Sequence, residues 1–467
     1  MTLDLAPHLE LDACVEDLRS LIRIPSVNPP EGGREVAAGR DPRGGETAAA
    51  QYCADALSGD GIEAEIVELT PGRGSCFARL RASGATTEPP LILLSHIDVV
   101  PVEADAWARD PFGGELVDGT VWGRGAVDMK NMVAMELAVM RALKRSGAEL
   151  RRDVIFAAVA DEEAGGAHGA RGLVEQRPEL FADASGRPAA AALNEVGGYS
   201  ITIGGRRFYA VQVAEKGISW TRLRTTGTPA HGSMPHPDNA AIKLAEAVAA
   251  LAADQVARQA RVIPIVADFL EAIGLGDVAR LAVSDPDAAN DALAASVEDP
   301  AMRRSLGAML RDTVTPNVIH AGTKVNVVPG AGEAEIDIRT LPGTDQAALL
   351  AHLQEVVGDL ATVEPVVTLP AIEWPADAEI VRHMRDVLQA ADPEATPVPM
   401  MITLGTDAKA LAELGIPCYG FAPVKLEADV PFLSLFHAHD ERIPVSALEF
   451  GLPVLADVVG RYAVREV

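Results

Sequence analysis

The sequence predicts an α/β protein built on a mixed, largely parallel sheet, with a smaller α+β unit inserted into it. Three observations point that way. LILLSHIDVV (91–100) and DVIFAAVA (153–160) are continuous apolar runs, as expected of strands buried on both faces. Helical and strand patterns alternate through roughly the first two hundred residues, the texture of a layered α/β sheet. From about residue 205 polar and apolar residues alternate instead, and from about 375 the first texture returns.

Residues 10–24 place Leu11, Val15, Leu18, Leu21 and Ile22 at helical spacing. The stretch 29–45 is rich in Gly, Pro and Arg and reads as a loop. A helix over 47–58 and a half-solvated strand over 62–69 follow. MVAMELAVMRALKRSG (132–147) is a strong helix that ends in basic residues and a glycine. FYAVQVAEKGISWTRLRTTG (208–227) reads as a strand exposed on one face. A helix over 239–252, two strands around a turn within 323–343, a helix over 346–357 and a strand over 363–369 complete the insert. Residues 253–320 are rich in Ala and Asp and read as mostly helical. A helix over 378–390, a strand over 399–404 and a closing helix over 446–462 end the chain. The expected division is 1–204 and 373–467 for the main domain, with 205–372 as the insert and a helical insertion at about 253–320.

With 467 residues, two or three domains are expected at roughly 150 residues each. The 40 Lys+Arg against 67 Asp+Glu give a net charge of −27. That argues against nucleic acid and against an anionic membrane surface as partners. The N-terminal stretch has no basic segment leading into an apolar one, and no apolar run is long enough to span a bilayer. Cys14, Cys53, Cys76 and Cys418 are scattered without CxxC spacing, which fits a reducing cytoplasm and leaves any metal to His and carboxylates.

Five segments carry chemistry. In SHIDVVP (95–101), His96 sits at the end of a buried strand, where ligands gather in parallel sheets, and Asp98 points to the same side. A carboxylate there can fix an imidazole tautomer, although a plain strand-end pair fits too. In GRGAVDMK (123–130), Asp128 precedes the strong helix as a ligand or as an N-cap. Asp161, Glu162 and Glu163 follow a buried strand, either as a solvated acidic turn or as acids gathered by a cation. Adjacent glutamates can divide the work, one as ligand and one as general base. Glu195 in LNEVGGY (193–199) and the histidines of FHAHDERIPV (436–445) complete the set. Imidazoles and carboxylates at strand ends of one layer suit zinc, cobalt or manganese.

These five segments, in this order, resemble the dinuclear zinc aminoacylase/carboxypeptidase family of metallopeptidases, over about 15–465. Acetylornithine deacetylases, succinyl-diaminopimelate desuccinylases and carboxypeptidase S-like enzymes belong to that family. The resemblance implies a zinc-peptidase-like catalytic domain and an inserted lid and dimerisation domain. It implies two divalent ions, zinc first and cobalt or manganese as alternatives. His96 and Glu195 would hold one ion, Glu163 and a late histidine the other, and Asp128 would bridge them with a cis peptide after it. Asp98 would orient His96, and Glu162 would be the general base. The family pattern His-Gly-x-Asp/Asn-Glu, counted back from Glu441, makes His437 the late ligand. Here Ala438 replaces the glycine, and His439 is an extra imidazole and the second choice.

The insert carries further family segments. PAHGSMPHPDNA (229–240) contains His231, which the resemblance sends to the partner subunit's active site; His236 reads as structural. Asn326 and Arg339 would bind the substrate's carboxylate, with an ion pair inside the lid as the plain reading of Arg339. Thr406 and Asp407 in LGTDAK (404–409) would shape the pocket. The implied activity is hydrolysis of an amide in an N-acyl amino acid or small peptide with a free carboxylate, by a metal-activated water, in a cytoplasmic homodimer. A dipeptidase or aminopeptidase, a carbamoyl-type amidohydrolase, and a non-catalytic binding homologue are the alternatives. No Gly-x-Ser-x-Gly elbow is present to suggest a serine nucleophile.

Overall fold

The computed structural model describes residues 4–28, 45–84, 87–254, 259–427, 430 and 432–465. The loop expected at 29–45 lies outside the described residues except for Gly45. The chain folds as two compact units. The first is Met1–Val213, Trp374–Pro399 and Thr406–Val467; the second is Ala214–Glu373 and Met400–Gly405.

The first unit opens with α1 (Leu11–Ile22), whose apolar stripe buries Cys14, Leu18, Leu21 and Ile22, and α2 (Glu46–Ser58). β1 (Ala64–Glu68) and β2 (Gly74–Leu80) pair antiparallel. β3 (Glu88–His96) is buried from Pro90 onward, which explains its unbroken apolar run. Two short strands, β4 (Glu115–Val117) and β5 (Thr120–Trp122), precede α3 (Lys130–Ser146). α3 is buried from Lys130 to Leu143 and stops at Gly147, whose φ of 65° needs a residue without Cβ strain. β6 (Arg152–Val159), α4 (Ala170–Gln176), β7 (Ala191–Asn194), β8 (Ser200–Ile203) and β9 (Arg206–Glu215) follow.

The segment expected as one half-exposed strand is two strands. β9 ends at Glu215, and β10 (Gly217–Thr226) starts after Lys216. β9 is buried from Phe208 because it lies inside the large sheet; only β10 alternates buried and open positions. The boundary of the second unit accordingly falls after Val213 rather than at residue 205.

The second unit continues with β11 (Ala230–His231), α5 (Ala240–Ala253), α6 (Pro264–Ala272), α7 (Gly276–Ser284), α8 (Pro286–Ser296) and α9 (Pro300–Met309). α8 and α9 each begin with Asp-Pro. The Asp285 and Asp299 side chains accept backbone N–H bonds, and proline occupies a position that needs no donor. The helical stretch ends before 320, because 313–321 is the strand β12 (Thr313–Ala321). β13 (Val327–Val328), β14 (Ala331–Thr340), α10 (Gln346–Val357), β15 (Thr362–Leu369) and β16 (Ile372–Glu373) complete the insert. A four-stranded sheet runs β12-β14-β10-β15 with antiparallel pairings. α5 and α10 cover one face, packing Leu244, Leu251, Leu353 and Val357 on Leu223, Ile336 and Ile338. β12 is a strand because it is laddered to β14, whatever its neighbours' helical composition.

The chain returns with α11 (Glu379–Ala391), β17 (Thr396–Ile402), α12 (Ala408–Ala412), β18 (Cys418–Gly420), β19 (Arg442–Pro444) and α13 (Val445–Ala463). The large sheet has 10 strands in the order β1-β2-β6-β3-β7-β18-β9-β16, with β8 and β17 also on β9. β6, β3, β7 and β18 are mutually parallel, so their carboxyl ends share one edge.

Candidate metal centre

The sequence-predicted residues of the first unit converge on that edge. His96 is the last residue of β3, the Glu162–Glu163 pair follows β6, and Glu195 follows β7. Parallel register places His96 beside Val159 and Leu93 beside Leu193, which brings the three strand ends level. Close backbone approach matters at one point. A Cβ on Gly197 would overlap the Gly420 carbonyl, and one on Gly420 would overlap the Glu195 carbonyl, so the turn carrying Glu195 can lie against β18.

His96 is 1% exposed. Its Nε2 lies 3.1 Å from Asp128 Oδ1 and 3.7 Å from Glu195 Oε2. Asp128 turns its other oxygen, Oδ2, to within 3.2 Å of His437 Nε2, so the one carboxylate stands between the two imidazoles. His437 Nε2 is also 3.1 Å from Glu163 Oε2. Two groups have ligand atoms within 4.8 Å of one another: His96, Asp128 and Glu163, and His96, Glu162 and Glu195. The peptide bond between Asp128 and Met129 is cis. His439 is elsewhere, 3.4 Å from Glu103.

Asp98 supports this centre from behind. Its carbonyl accepts from His96 Nδ1 at 3.1 Å, and its carboxylate Oδ1 is 3.5 Å from the same nitrogen. The nearer bonds of that carboxylate are with Asn28 Nδ2 at 2.7 Å and the backbone N–H groups of Glu162 and Glu163 at 3.1 Å each. Asp98 therefore ties the His96 strand end to the acidic turn.

The electrostatics show what the cluster demands. No lysine or arginine among the described residues pairs with Asp128, Glu162, Glu163 or Glu195. Burial raises Glu162 well above the ordinary carboxylate range, and the charge of Glu195 adds to that. Burial lifts Glu195 to about 7 against the hydrogen bond from His96. Burial also works against ionised Asp128, but the bonds from His437 and His96 hold it below the usual range. The bonds of Asp128 and Glu163 push His437 up to about 10. Glu163 Oε1 is buried with no hydrogen-bond partner. An anionic cluster that draws protons onto its imidazoles and leaves a buried carboxylate oxygen unspent fits divalent cations.

Further residues support the cluster. Glu441 is fully buried and accepts from the backbone of Gly125, Val127 and Asp128 at 3.0, 2.7 and 3.0 Å, and from Arg124 Nη1 at 2.6 Å. The turn that presents Asp128 is thus wrapped around one carboxylate more than 300 residues away. Arg73 bonds Asp161 at 2.6 Å and Glu46 at 3.0 Å, bracing the start of the acidic turn. Asp161, Val196 and His437 have φ of 68°, 56° and 59°. Left-handed backbone in non-glycine residues costs on the order of 1 kcal/mol each, and here it sits at or beside residues of the cluster. Thr406 accepts from Asn194 Nδ2 at 3.1 Å and is buried, as is Asp407. Tyr199 and Phe432 pack as tilted rings at 5.3 Å, and Phe432 meets Phe436 edge to face at 5.4 Å, an apolar wall in the cavity that Glu195 also lines.

The second unit holds the remaining three. His231 is exposed in β11, with its Nδ1 2.8 Å from Ser233 Oγ. β11 pairs with β13, and Gly232 N–H donates to the carbonyl of exposed Asn326 at 2.9 Å, so those two residues are neighbours. Arg339 is held by Asp337 through Nε at 2.7 Å and Nη2 at 3.1 Å.

Comparison with known proteins shows what the chain as a whole is similar to. The model of peptidase family M20/M25/M40 matches residues 92–461. Aminoacylase-1 of Sus scrofa is 28% identical over 414 residues, 86% of this chain and 87% of that protein. The protein named "Probable carboxypeptidase S-like 2" of Dictyostelium discoideum is 26% identical over 367 residues, 76% of this chain and 68% of its own. Among solved structures, an M20 family metallo-carboxypeptidase from Sulfolobus solfataricus superposes with a TM-score of 0.69 at 17% identity, covering 96% of this chain and 99% of that one.

Proposed function

The chain belongs to peptidase family M20/M25/M40 and is a metal-dependent hydrolase, and on that premise we propose that it cleaves the amide bond of an N-acyl amino acid or small peptide with a free carboxylate. The observation that carries this reading is Glu162, beside His96 and Glu195 but outside the hydrogen-bonded chain His96–Asp128–His437–Glu163. Within the cluster it is the carboxylate left to handle a proton.

His96 and Glu195 would hold one divalent ion, Glu163 and His437 a second, and Asp128 both; zinc suits the imidazole and carboxylate donors. Such ions, when bound, supply Lewis-acid polarisation of the scissile carbonyl and activation of water. Glu162 takes the proton of the attacking water and returns it to the leaving amine. Its place beside His96 and Glu195 suits both transfers. Asp98 keeps Glu162 and Glu163 in register with His96 through their backbone N–H groups. The tight pair with Asp337 occupies Arg339 Nε and Nη2, so a substrate carboxylate meets the Nη1 edge, with Asn326 as a neutral donor. Exposed His231 serves the site of a second copy, which makes a homodimer the active unit. Thr406 fixes Asn194, the residue before Glu195.

Amine release from a panel of N-acyl amino acids and dipeptides, with and without chelator, tests the reading. Chelator-sensitive cleavage that requires the free carboxylate is expected. Cleavage of carboxyl-blocked substrates at equal rates would refute the carboxylate requirement and favour the aminopeptidase reading.

A further inference from the structure

The helical part of the inserted unit holds a cavity that the hydrolysis above does not use. It lies between α8, α9 and the start of β12 and has a volume of about 510 Å³. Arg303, Arg304 and Arg311 line it with Leu293, Pro300 and Gly307, and no aspartate or glutamate is among the lining residues. Gathering three guanidiniums without a carboxylate is unfavourable, because like charges repel. It is the more unexpected in a chain of net charge −27, where acids outnumber bases.

None of the three guanidiniums forms an ion pair with an acid among the described residues. Arg303 donates Nη1 to the carbonyls of Val297 at 2.7 Å and Glu298 at 2.9 Å. Those bonds fix the side chain without neutralising it. Arg311 Nε is buried with no hydrogen-bond partner. Arg304 is exposed on the neighbouring helix position. Gly307 adds an independent observation. It lies inside α9, a Cβ there would meet nothing within 4 Å, and its φ is not in the left-handed region. The backbone has no need of glycine there, and glycine costs a helix roughly 1 kcal/mol relative to alanine. What its missing side chain does provide is an open cavity wall.

We propose that this cavity binds a small organic anion, with carboxylate or phosphate oxygens on a short apolar skeleton. Planar guanidinium forks grip such oxyanions in pairs, and Leu293 and Pro300 face the skeleton. The site shares no residue with the metal centre, and its Thr313 is the ladder partner of Arg339, so it borders the residue proposed to take the substrate's carboxylate.

Calorimetric titration of the metal-loaded protein at low salt, with succinate, glutarate and inorganic phosphate as probes, tests this. At least one probe binds saturably, and preference between dicarboxylate and phosphate names the source. Arg304→Ala, which removes an exposed side chain without breaking a bond of the fold, weakens binding about tenfold or more. Gly307→Leu intrudes on the cavity beside the arginines and weakens binding while the thermal midpoint holds or rises. No saturable heat with any probe overturns the proposal. So does binding unchanged in both variants, which would put the anion at the metal centre or at Arg339.

Discussion

Glu162 and Glu163 are adjacent in sequence and differ in what surrounds them. Glu163 meets His437 at 3.1 Å, whereas Glu162 sits in the group with His96 and Glu195. That division gives a prediction. Glu162→Gln keeps the metal content of the protein, measured by elemental analysis, and loses about 10²- to 10⁴-fold in kcat. A variant that loses metal and activity together would make Glu162 a ligand instead. Part of this centre is legible in the sequence, because His96, the Glu162–Glu163 pair and Glu195 follow apolar runs and strand ends collect at one edge, whereas the roles of Asp128 and His437 rest on the family resemblance. His437 is singled out over His439 only by the family pattern counted back from Glu441. The role of Glu441 itself is not legible. It acts by accepting backbone N–H bonds from Gly125, Val127 and Asp128, and such bonds leave no residue-type pattern at either end. Asn28 and Arg73 escape for the same reason, since each bonds acids far away in the chain.

Elements of one period with one environment, such as α3 and β6, follow directly from their sequences. β9 and β10 do not, because a continuous polar-apolar alternation hides a change of sheet at a single residue. That residue is Lys216, fully buried, with Nζ donating to the carbonyls of Ala308 and Arg311 at 3.1 and 2.8 Å. It anchors the C-terminal end of α9 to the first strand of the inserted sheet. Burial pulls its pKa down from 10.5 to about 7. Between those values the unfolded chain holds a proton that the folded chain lacks, so stability rises with pH through this window. Urea unfolding of the native protein and of Lys216→Met between pH 7 and 10 checks this. The native protein gains on the variant by up to about 1.4 kcal/mol per pH unit. Parallel profiles would mean that the ammonium stays charged among its oxygen acceptors, the carbonyls of Ala308 and Arg311 and the hydroxyl of Thr313. β12 is the other element missed, since an Ala/Asp-rich approach conceals a strand that only its ladder to β14 reveals.

For the whole molecule the dominant quantity is the net charge of −27. Self-repulsion of that size opposes compaction and is screened by salt, with a Debye length of about 30 Å at 0.01 M and about 10 Å at 0.1 M. The thermal midpoint therefore rises as sodium chloride is added over that range, in a scan with chelator present so that metal occupancy stays constant. A flat or falling midpoint would show that local ion pairs such as Arg145 with Asp60 already balance the surface. The order of strands in the large sheet has a different consequence, one for the life of the chain before it is complete. β18, at 418–420, lies between β7 and β9, at 191–194 and 206–215. A ribosome reads about 5–20 residues per second. The sheet's middle thus waits on the order of ten seconds or more, with the rims of β7 and β9 unpaired, while the insert is translated. His437 emerges later still. The nascent protein spends that interval with open strand edges that invite mispairing, and the His96–Asp128–His437 arrangement cannot form before residue 437 has been made.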